Sequence, residues 1–168
     1  MDEITRAKKG DELALTQLLL DHYDFVYHYL LKLTLHPQMA EDLTQESFIK
    51  AIERIKQFNP KKAAFSTWLI QIGTNLWRDE LRKEKRRKRY TNDKQMEWEM
   101  REEPTADWLA VTSALENIKP KERIPLILKH YYGYGYDEIA KIVGIPSGTA
   151  KSRVHTGMTS LRKELNNG

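Results

Sequence analysis

The stretch YDEIAKIVGIPSGTAKSRVHTGMTSLRKEL, Tyr136 to Leu165, leaves the chain few options, because it spells two helices meeting at a sharp turn. Ile139, Ala140 and Val143 share a face of a short first helix, Gly144 can take positive φ, and Ile145-Pro146 turns the chain. Ser147 is then expected to cap a second helix whose apolar stripe is Ala150, Val154, Met158, Leu161 and Leu165. At about 100° per residue the opposite face carries Gly148, Ser152, His155 and Thr159, flanked by Lys151 and Arg162, with no carboxylate. Such a face suits a major groove, and Ala140 lets the two helices cross closely, as in a helix-turn-helix. An ordinary αα-hairpin with a solvated polar face fits the same pattern.

The rest of the chain keeps the helical period. Leu15, Leu18, Leu19, His22, Val26, Tyr29, Leu30 and Leu33 make a stripe over residues 11–35, which His36-Pro37 is expected to end. A second helix is predicted from about Met39 to Phe58, burying Leu43, Phe48, Ala51, Ile52, Ile55 and Phe58. After an Asn59-Pro60-Lys61-Lys62 loop, a third helix starts at Ser66 or the residue before it. Leu69, Ile72 and Leu76 mark its inner side, and it runs on into a basic tail. Trp108, Val111, Leu115 and Ile118 form a short helix, and Ile124, Ile127, Leu128 and Tyr131 another, which either starts near Arg123 or bends at Pro125. Nothing alternates with period two over strand lengths and no repeat occurs, so the fold class is all-α.

Charge divides the chain further. Residues 78–90 hold eight basic and three acidic side chains, residues 91–108 two basic and six acidic, and residues 109–168 nine basic and five acidic. Two basic units flanking an acidic, aliphatic-poor spacer point to two small helical domains, 1–90 and 107–168, joined by an acidic linker at 91–106, where Trp98 can still dock. Basic helical surface beside a reading helix suits a polyanion, although a solvated charge run would look the same. With no cysteine there is neither a disulfide nor a thiolate metal site. The five histidines lack ligand spacing, so no metal or cofactor is expected. No apolar run approaches the roughly 18 residues of a membrane span, and Met1 to Gly10 is too charged for a signal peptide, which fits a soluble, cytoplasmic protein.

Three segments in order, AEDLTQESFIKA at 40–51, FSTWLIQIGTNLWRDELRKEKR at 65–86 and EIAKIVGIPSGTAKSR at 138–153, resemble the extracytoplasmic-function (ECF) class of bacterial sigma factors, the initiation subunits of RNA polymerase. The resemblance covers nearly the whole chain. It implies a protein that is not an enzyme and takes no small-molecule substrate, but binds core polymerase, recognises promoter DNA and promotes initiation.

Asp42, Gln45, Glu46, Ile49 and Glu53 recur at steps of three and four, off the buried stripe, and form an external face. In the family the matching helix docks on the clamp of the largest polymerase subunit, with Leu43 helping to fix its orientation. The third helix resembles the element that engages the minus-ten region as single strands. Trp68 and Trp77 offer flat surfaces for unstacked bases, with Trp68 expected to be partly buried, and Lys61, Lys62, Arg78 and Arg82 offer charge for phosphates. Asn75, Asp79 and Arg82 share one helix edge and can bond one another or face nucleic acid. In the family a base flipped out of the non-template strand is captured by a loop matching Asn59 to Phe65. The helix-turn-helix at 136–155 resembles the minus-thirty-five reader. Gly148, Lys151, Ser152, His155 and Thr156 fall on its contact positions, and Thr149 and Arg153 on its common core.

Thr156 stands where the family often has arginine, and Gly157-Met158 replaces a small-basic pair, so the phosphate grip differs. The resemblance also implies an anti-sigma partner, with the protein nucleoid-associated when on polymerase and sequestered at the membrane when held by that partner. Two other readings compete: a helix-turn-helix repressor or activator that replaces no sigma subunit, and a helical nuclease using Asp79, Glu80 or a histidine. Adjacent carboxylates point about 100° apart and cannot jointly hold a metal without partners, which counts against the nuclease.

Overall fold

The computed structural model describes residues 1–88 and 106–167, and every regular element among them is helical. The chain divides into two compact units, Met1–Trp98 and Glu99–Gly168. The all-α fold class in two helical units is therefore as the hydrophobic periods require. The acidic spacer with Trp98 lies outside the described residues, as do the side chains of Trp108 and Val111.

The first unit holds α1 (Glu3–Lys8), α2 (Glu12–Thr34), α3 (Pro37–Arg54), a 3-10 turn (Ile55–Gln57) and α4 (Phe65–Lys88). Local chemistry sets the helix ends. The Asp2 carboxylate accepts the Thr5 N–H at 2.7 Å, and Asp11 accepts the Ala14 N–H at 3.1 Å while pairing with Arg6 at 2.8 Å. These bonds to the ionised form hold both carboxyls below the usual carboxylate range. Leu35 ends α2 in the left-handed region (φ 56), a conformation leucine rarely adopts, here with its side chain wholly buried. α2 stops just before His36-Pro37, as the sequence suggested, and the pair also opens α3: His36 Nδ1 accepts the Met39 N–H at 3.1 Å and Pro37 occupies the first turn, where its missing N–H costs nothing.

Helices α2, α3 and α4 pack on one another around Tyr29, Leu30, Leu33, Leu43, Leu69 and Ile70. Close approach comes from small residues. A Cβ on Gly73 would meet Leu30 Cδ2 and Ser47 Oγ at 3.3 Å. The hydroxyls buried at this junction are all satisfied: Thr44 and Ser47 donate to the Ala40 and Leu43 carbonyls at 2.7 and 2.6 Å, and Tyr29 bonds Thr74 at 2.6 Å. Hence the inner side of α3 is in part the one expected. Leu43 and Ala51 are buried, as are Ile55 and Phe58 after the α-helix has ended, but Ser47 and Thr44 are buried too, Phe48 is only partly so, and Ile52 is 48% exposed. On α2, burial draws Lys32 down to about 8, with its Nζ 3.3 Å from the His28 carbonyl. Lys8 at the end of α1 donates to the Phe58 carbonyl at 2.6 Å, fastening the first helix to the end of the 3-10 turn.

The second unit holds α5 (Ala106–Glu116), α6 (Pro120–His130), α7 (Tyr136–Val143) and α8 (Ser147–Asn166). α6 opens on Pro120 and runs through Pro125, whose ring is buried, so the helix starts earlier than Arg123. Tyr131, expected in the core, is 66% exposed beyond the end of α6. Ile118, Leu128, Ile139, Ile142, Val143, Ala150 and Val154 form the core. Arg123 is buried as well. Its Nη2 donates to the Ile118 carbonyl at 2.9 Å, satisfying the chain end of α5, and burial draws the guanidinium down to about 10. Gly157 lies where α8 crosses α6, and a Cβ there would come within 3.3 Å of the Glu122 carbonyl oxygen.

Candidate functional site

In the second unit, α7 ends as the sequence implies, on Gly144 in the left-handed region (φ 78), and its N–H bonds the Ala140 carbonyl at 2.8 Å. Ser147 is not the cap of α8. Pro146 takes that place with extended geometry, and the Ser147 hydroxyl, one residue inside the helix, donates to Asp137 at 2.9 Å. This bond ties the start of α8 to the first turn of α7 and so fixes the angle at which α8 is presented. Ala150, Val154 and Gly157 are buried beneath α8, Met158 and Leu161 partly so, and Leu165 is exposed. Gly148, Lys151, Ser152, His155 and Thr156 are all exposed, whereas Thr149 and Arg153 lie at the edge, half-buried. The exposed set offers donors, an amphoteric imidazole and hydroxyls without a carboxylate, the groups that base edges and phosphates accept from.

In the first unit, Asp42, Gln45, Glu46, Ile49 and Glu53 are all exposed along one side of α3, with Ile52 beside them. Leu43 points the other way and is 2% exposed, so it can act only by anchoring the helix. Three carboxylates, an amide and two bare isoleucines on one rigid helix make a surface suited to another protein: the apolar residues supply area and the acids steer a basic partner.

The loop between the 3-10 turn and α4 is shaped by Asn59, whose side-chain oxygen accepts the Lys61 N–H at 3.0 Å, leaving Lys61 and Lys62 exposed. Phe58, Phe65 and Trp68 cluster at centroid distances of 5.0 to 5.6 Å, the two phenylalanines edge-on and the indole tilted against both, and His22 meets Phe65 edge-on at 5.0 Å. Trp68 is half-buried in that cluster. Trp77 is a correction to the sequence reading. It is 7% exposed and its indole N–H meets no acceptor among the described residues, so it presents no face to a base. The heptad-like spacing 69, 72, 76 had marked the inner side of α4, but the stripe is wide enough to take in position 77. Asn75 and Arg82 are exposed, Arg78 is half-buried, and Arg82 pairs with Asp79 at 2.9 Å. The described residues contain no cluster of three potential metal ligands.

Residues 18–87 match the family described as Sigma-70 region 2, and residues 108–161 the family described as Sigma-70, region 4. The chain is 31% identical to the ECF RNA polymerase sigma factor SigW of Bacillus subtilis, covering 96% of this chain and 94% of that protein. The chain belongs to the ECF class of RNA polymerase sigma factors. It is also 30% identical to SigE of Mycolicibacterium smegmatis over 93% of its own length, but spans only 64% of that longer relative. Among solved structures, the sigma factor RpoE of Bartonella quintana, in complex with the anti-sigma factor NepR, aligns with a TM-score of 0.77 at 26% identity, covering 90% of this chain and 96% of that one. As a sigma factor the protein is an initiation factor, not an enzyme, and acts with core RNA polymerase on promoter DNA. A repressor or activator with only a helix-turn-helix has no use for region 2, so that reading is set aside. What the sequence did not reveal in this sigma factor is the Asp137 to Ser147 bond that sets α8; the serine was visible, but its role as cap and its role as donor are the same letter.

Proposed function

We propose that this ECF sigma factor divides its work between residues 1–90, a region 2 type domain, and residues 107–168, a region 4 type domain, with 91–106 as the acidic linker. The face of α3 made by Asp42, Gln45, Glu46, Ile49 and Glu53 docks on the clamp of the largest polymerase subunit, anchored from behind by Leu43. The 59–64 loop with Lys61 and Lys62, Trp68 below it, and Asn75, Arg78 and Arg82 on α4 hold the minus-ten region as single strands. Gly148, Lys151, Ser152, His155 and Thr156, with Thr149 and Arg153 at the edge, meet the duplex minus-thirty-five element. The observation that carries this reading is the pairing of two exposed helix faces of opposite chemistry, acidic with bare isoleucines on α3 and cationic without carboxylates on α8.

Promoter opening in this scheme is driven by binding. Single strands are captured as bases leave the stack, and each base stacked on an aromatic contributes about 1–3 kcal/mol. An anti-sigma protein is the regulator, as NepR is the bound partner in the RpoE structure. The protein is cytoplasmic, nucleoid-associated on polymerase, and held at the membrane when its partner is tethered there. No described helix is long and apolar enough to cross a membrane. Run-off transcription from genomic fragments with bacterial core polymerase tests the whole scheme. New discrete starts that require the protein are expected, and their alignment gives both promoter elements; no protein-dependent start would overturn it.

A further inference from the structure

The 59–64 loop is closed at its root. Phe58, the residue before it, and Phe65, the first of α4, meet edge-on with ring centroids 5.4 Å apart, and both are buried. Two elements grip that root from outside the loop. His22 on α2 meets Phe65 at 5.0 Å, and Lys8 at the end of α1 donates to the Phe58 carbonyl at 2.6 Å. The match to region 2 covers residues 18–87 and leaves α1 out. We propose that Lys8 is a positioning residue for the minus-ten contact: given the 59–64 loop as that contact, α1 sets where the loop points, and so which bases it accepts, without touching DNA itself.

The peptide plane carries the effect. The carbonyl that Lys8 holds belongs to the peptide joining Phe58 to Asn59, and because that unit is planar, fixing its oxygen fixes the direction in which Asn59 leaves the core. Asn59 in turn shapes the loop. Its side-chain oxygen accepts the Lys61 N–H and its backbone carbonyl the Lys62 N–H, both at 3.0 Å, so the two exposed lysines ride on a turn whose base is set from α1. The bond is strong for its kind, since its donor is an ammonium and the site is partly buried, where water competes less. α1 is also built to keep the ammonium in one place. It is six residues long, too short to stand alone, yet both ends are tied: Asp2 caps the first turn, and Arg6 grips Asp11 through Nε and Nη2 at 3.0 and 2.8 Å. Between them Ala7 is buried as α1 packs on α2 and on the 3-10 turn.

The test uses the full chain in holoenzyme with core polymerase and two single-stranded probes. One is the non-template minus-ten segment of a promoter recovered from the run-off experiment, and the other is the same strand with its minus-ten bases permuted. The quantity read is the ratio of the two affinities, which a loss of folded protein leaves unchanged because both affinities fall together. Lys8→Met keeps the stem and removes the ammonium; it is expected to lower the ratio about threefold to tenfold, with affinity for core polymerase unchanged. Lys8→Arg restores a charged donor and is expected to bring the ratio back to within about twofold of the starting protein. Arg6→Ala loosens α1 and leaves Lys8 in place, for an expected drop of about twofold. A ratio unchanged in Lys8→Met, even with a lowered melting temperature, overturns the proposal, and so does a ratio that Lys8→Arg fails to restore. Asn59→Ala keeps the two questions apart. It removes the bond inside the loop and is expected to lower the ratio at least as far as Lys8→Met. If it does and Lys8→Met does not, only the role of Lys8 fails; if Asn59→Ala leaves the ratio unchanged, the loop is not the minus-ten contact and the role of Lys8 falls with it.

Discussion

Helices α3 and α8 are of similar length, each buries one side in its own unit, and each leaves its other side bare, yet the bare sides have opposite chemistry. α3 exposes acids, an amide and the side chains of Ile49 and Ile52, which are 57% and 48% accessible. α8 exposes hydroxyls, imidazole and cations, and its one bare large aliphatic, Leu165, sits at the far end. Burying apolar area favours a protein partner, since nucleic acid offers little apolar surface outside the bases, whereas releasing counterions favours a polyanion. What an amphipathic helix will bind is thus written on its solvent side, and the core side says only that it is a helix.

That contrast is broken most forcefully by exchanging the charges. Asp42→Lys with Glu46→Lys sets like charges against a basic partner, so protein-dependent run-off transcription is expected to fall about a hundredfold while the affinity of the protein for duplex DNA holds or rises. Lys151→Glu should do the converse: promoter affinity drops about tenfold, and binding to core polymerase, followed by fluorescence anisotropy, is unchanged. If both variants lose both activities, the two faces are not separate.

The two units share a packing device, and comparing them there gives the next largest effect. At Gly157 an added methyl meets a backbone carbonyl that cannot yield, so Gly157→Ala is expected to cost about 1–3 kcal/mol in crowding, offset by roughly 1 kcal/mol of helix propensity. At Gly73 the atoms in the way are side-chain ends of Leu30 and Ser47, and Gly73→Ala should come out within about 1 kcal/mol of neutral. Thermal denaturation decides; equal losses at the two sites would show that the identity of the obstructing atom is irrelevant.

Smaller effects separate the buried polar groups. The folded-state value of Lys32, about 8, lies below its unfolded value, so the burial penalty is fully present below that pH and is relieved as pH rises toward the unfolded value. Lys32→Met should therefore stabilise the protein at neutral pH by about 1 kcal/mol or less, discounted for solvent screening of a half-exposed group, and the gain should vanish near pH 10. Melting temperatures at both pH values check this. Trp77→Phe loses ring volume but also removes an N–H with no acceptor among the described residues; the two terms, each about 1–3 kcal/mol, nearly cancel, and a shift above about 1 kcal/mol in urea unfolding would show that one dominates.

Periodicity made the outward faces legible. Every polar position read as external on α3 and on α8 is exposed, because charged side chains are not buried without partners. The inward faces were harder. Ser47 and Thr44 read as polar but bury well, since their hydroxyls return to carbonyls one turn back, and that freed Ile52 to sit outside. Arg123, which the sequence marked only as a helix start, is a buried cap for the end of α5, a role that depends on where Ile118 lies in space. Trp77 read as a platform and is part of the core. In each case the missing information was the partner across the packing interface, which no local spacing encodes.

The bond from Lys8 to the Phe58 carbonyl spans fifty positions of chain. On a ribosome adding about 5–20 residues per second, α1 is therefore made several seconds before that carbonyl exists, and in the meantime a helix of six residues, too short to hold itself together, has α2 and the Arg6 to Asp11 pair to lean on. Its packing on α2 can form early, and its fastening to Phe58 only late.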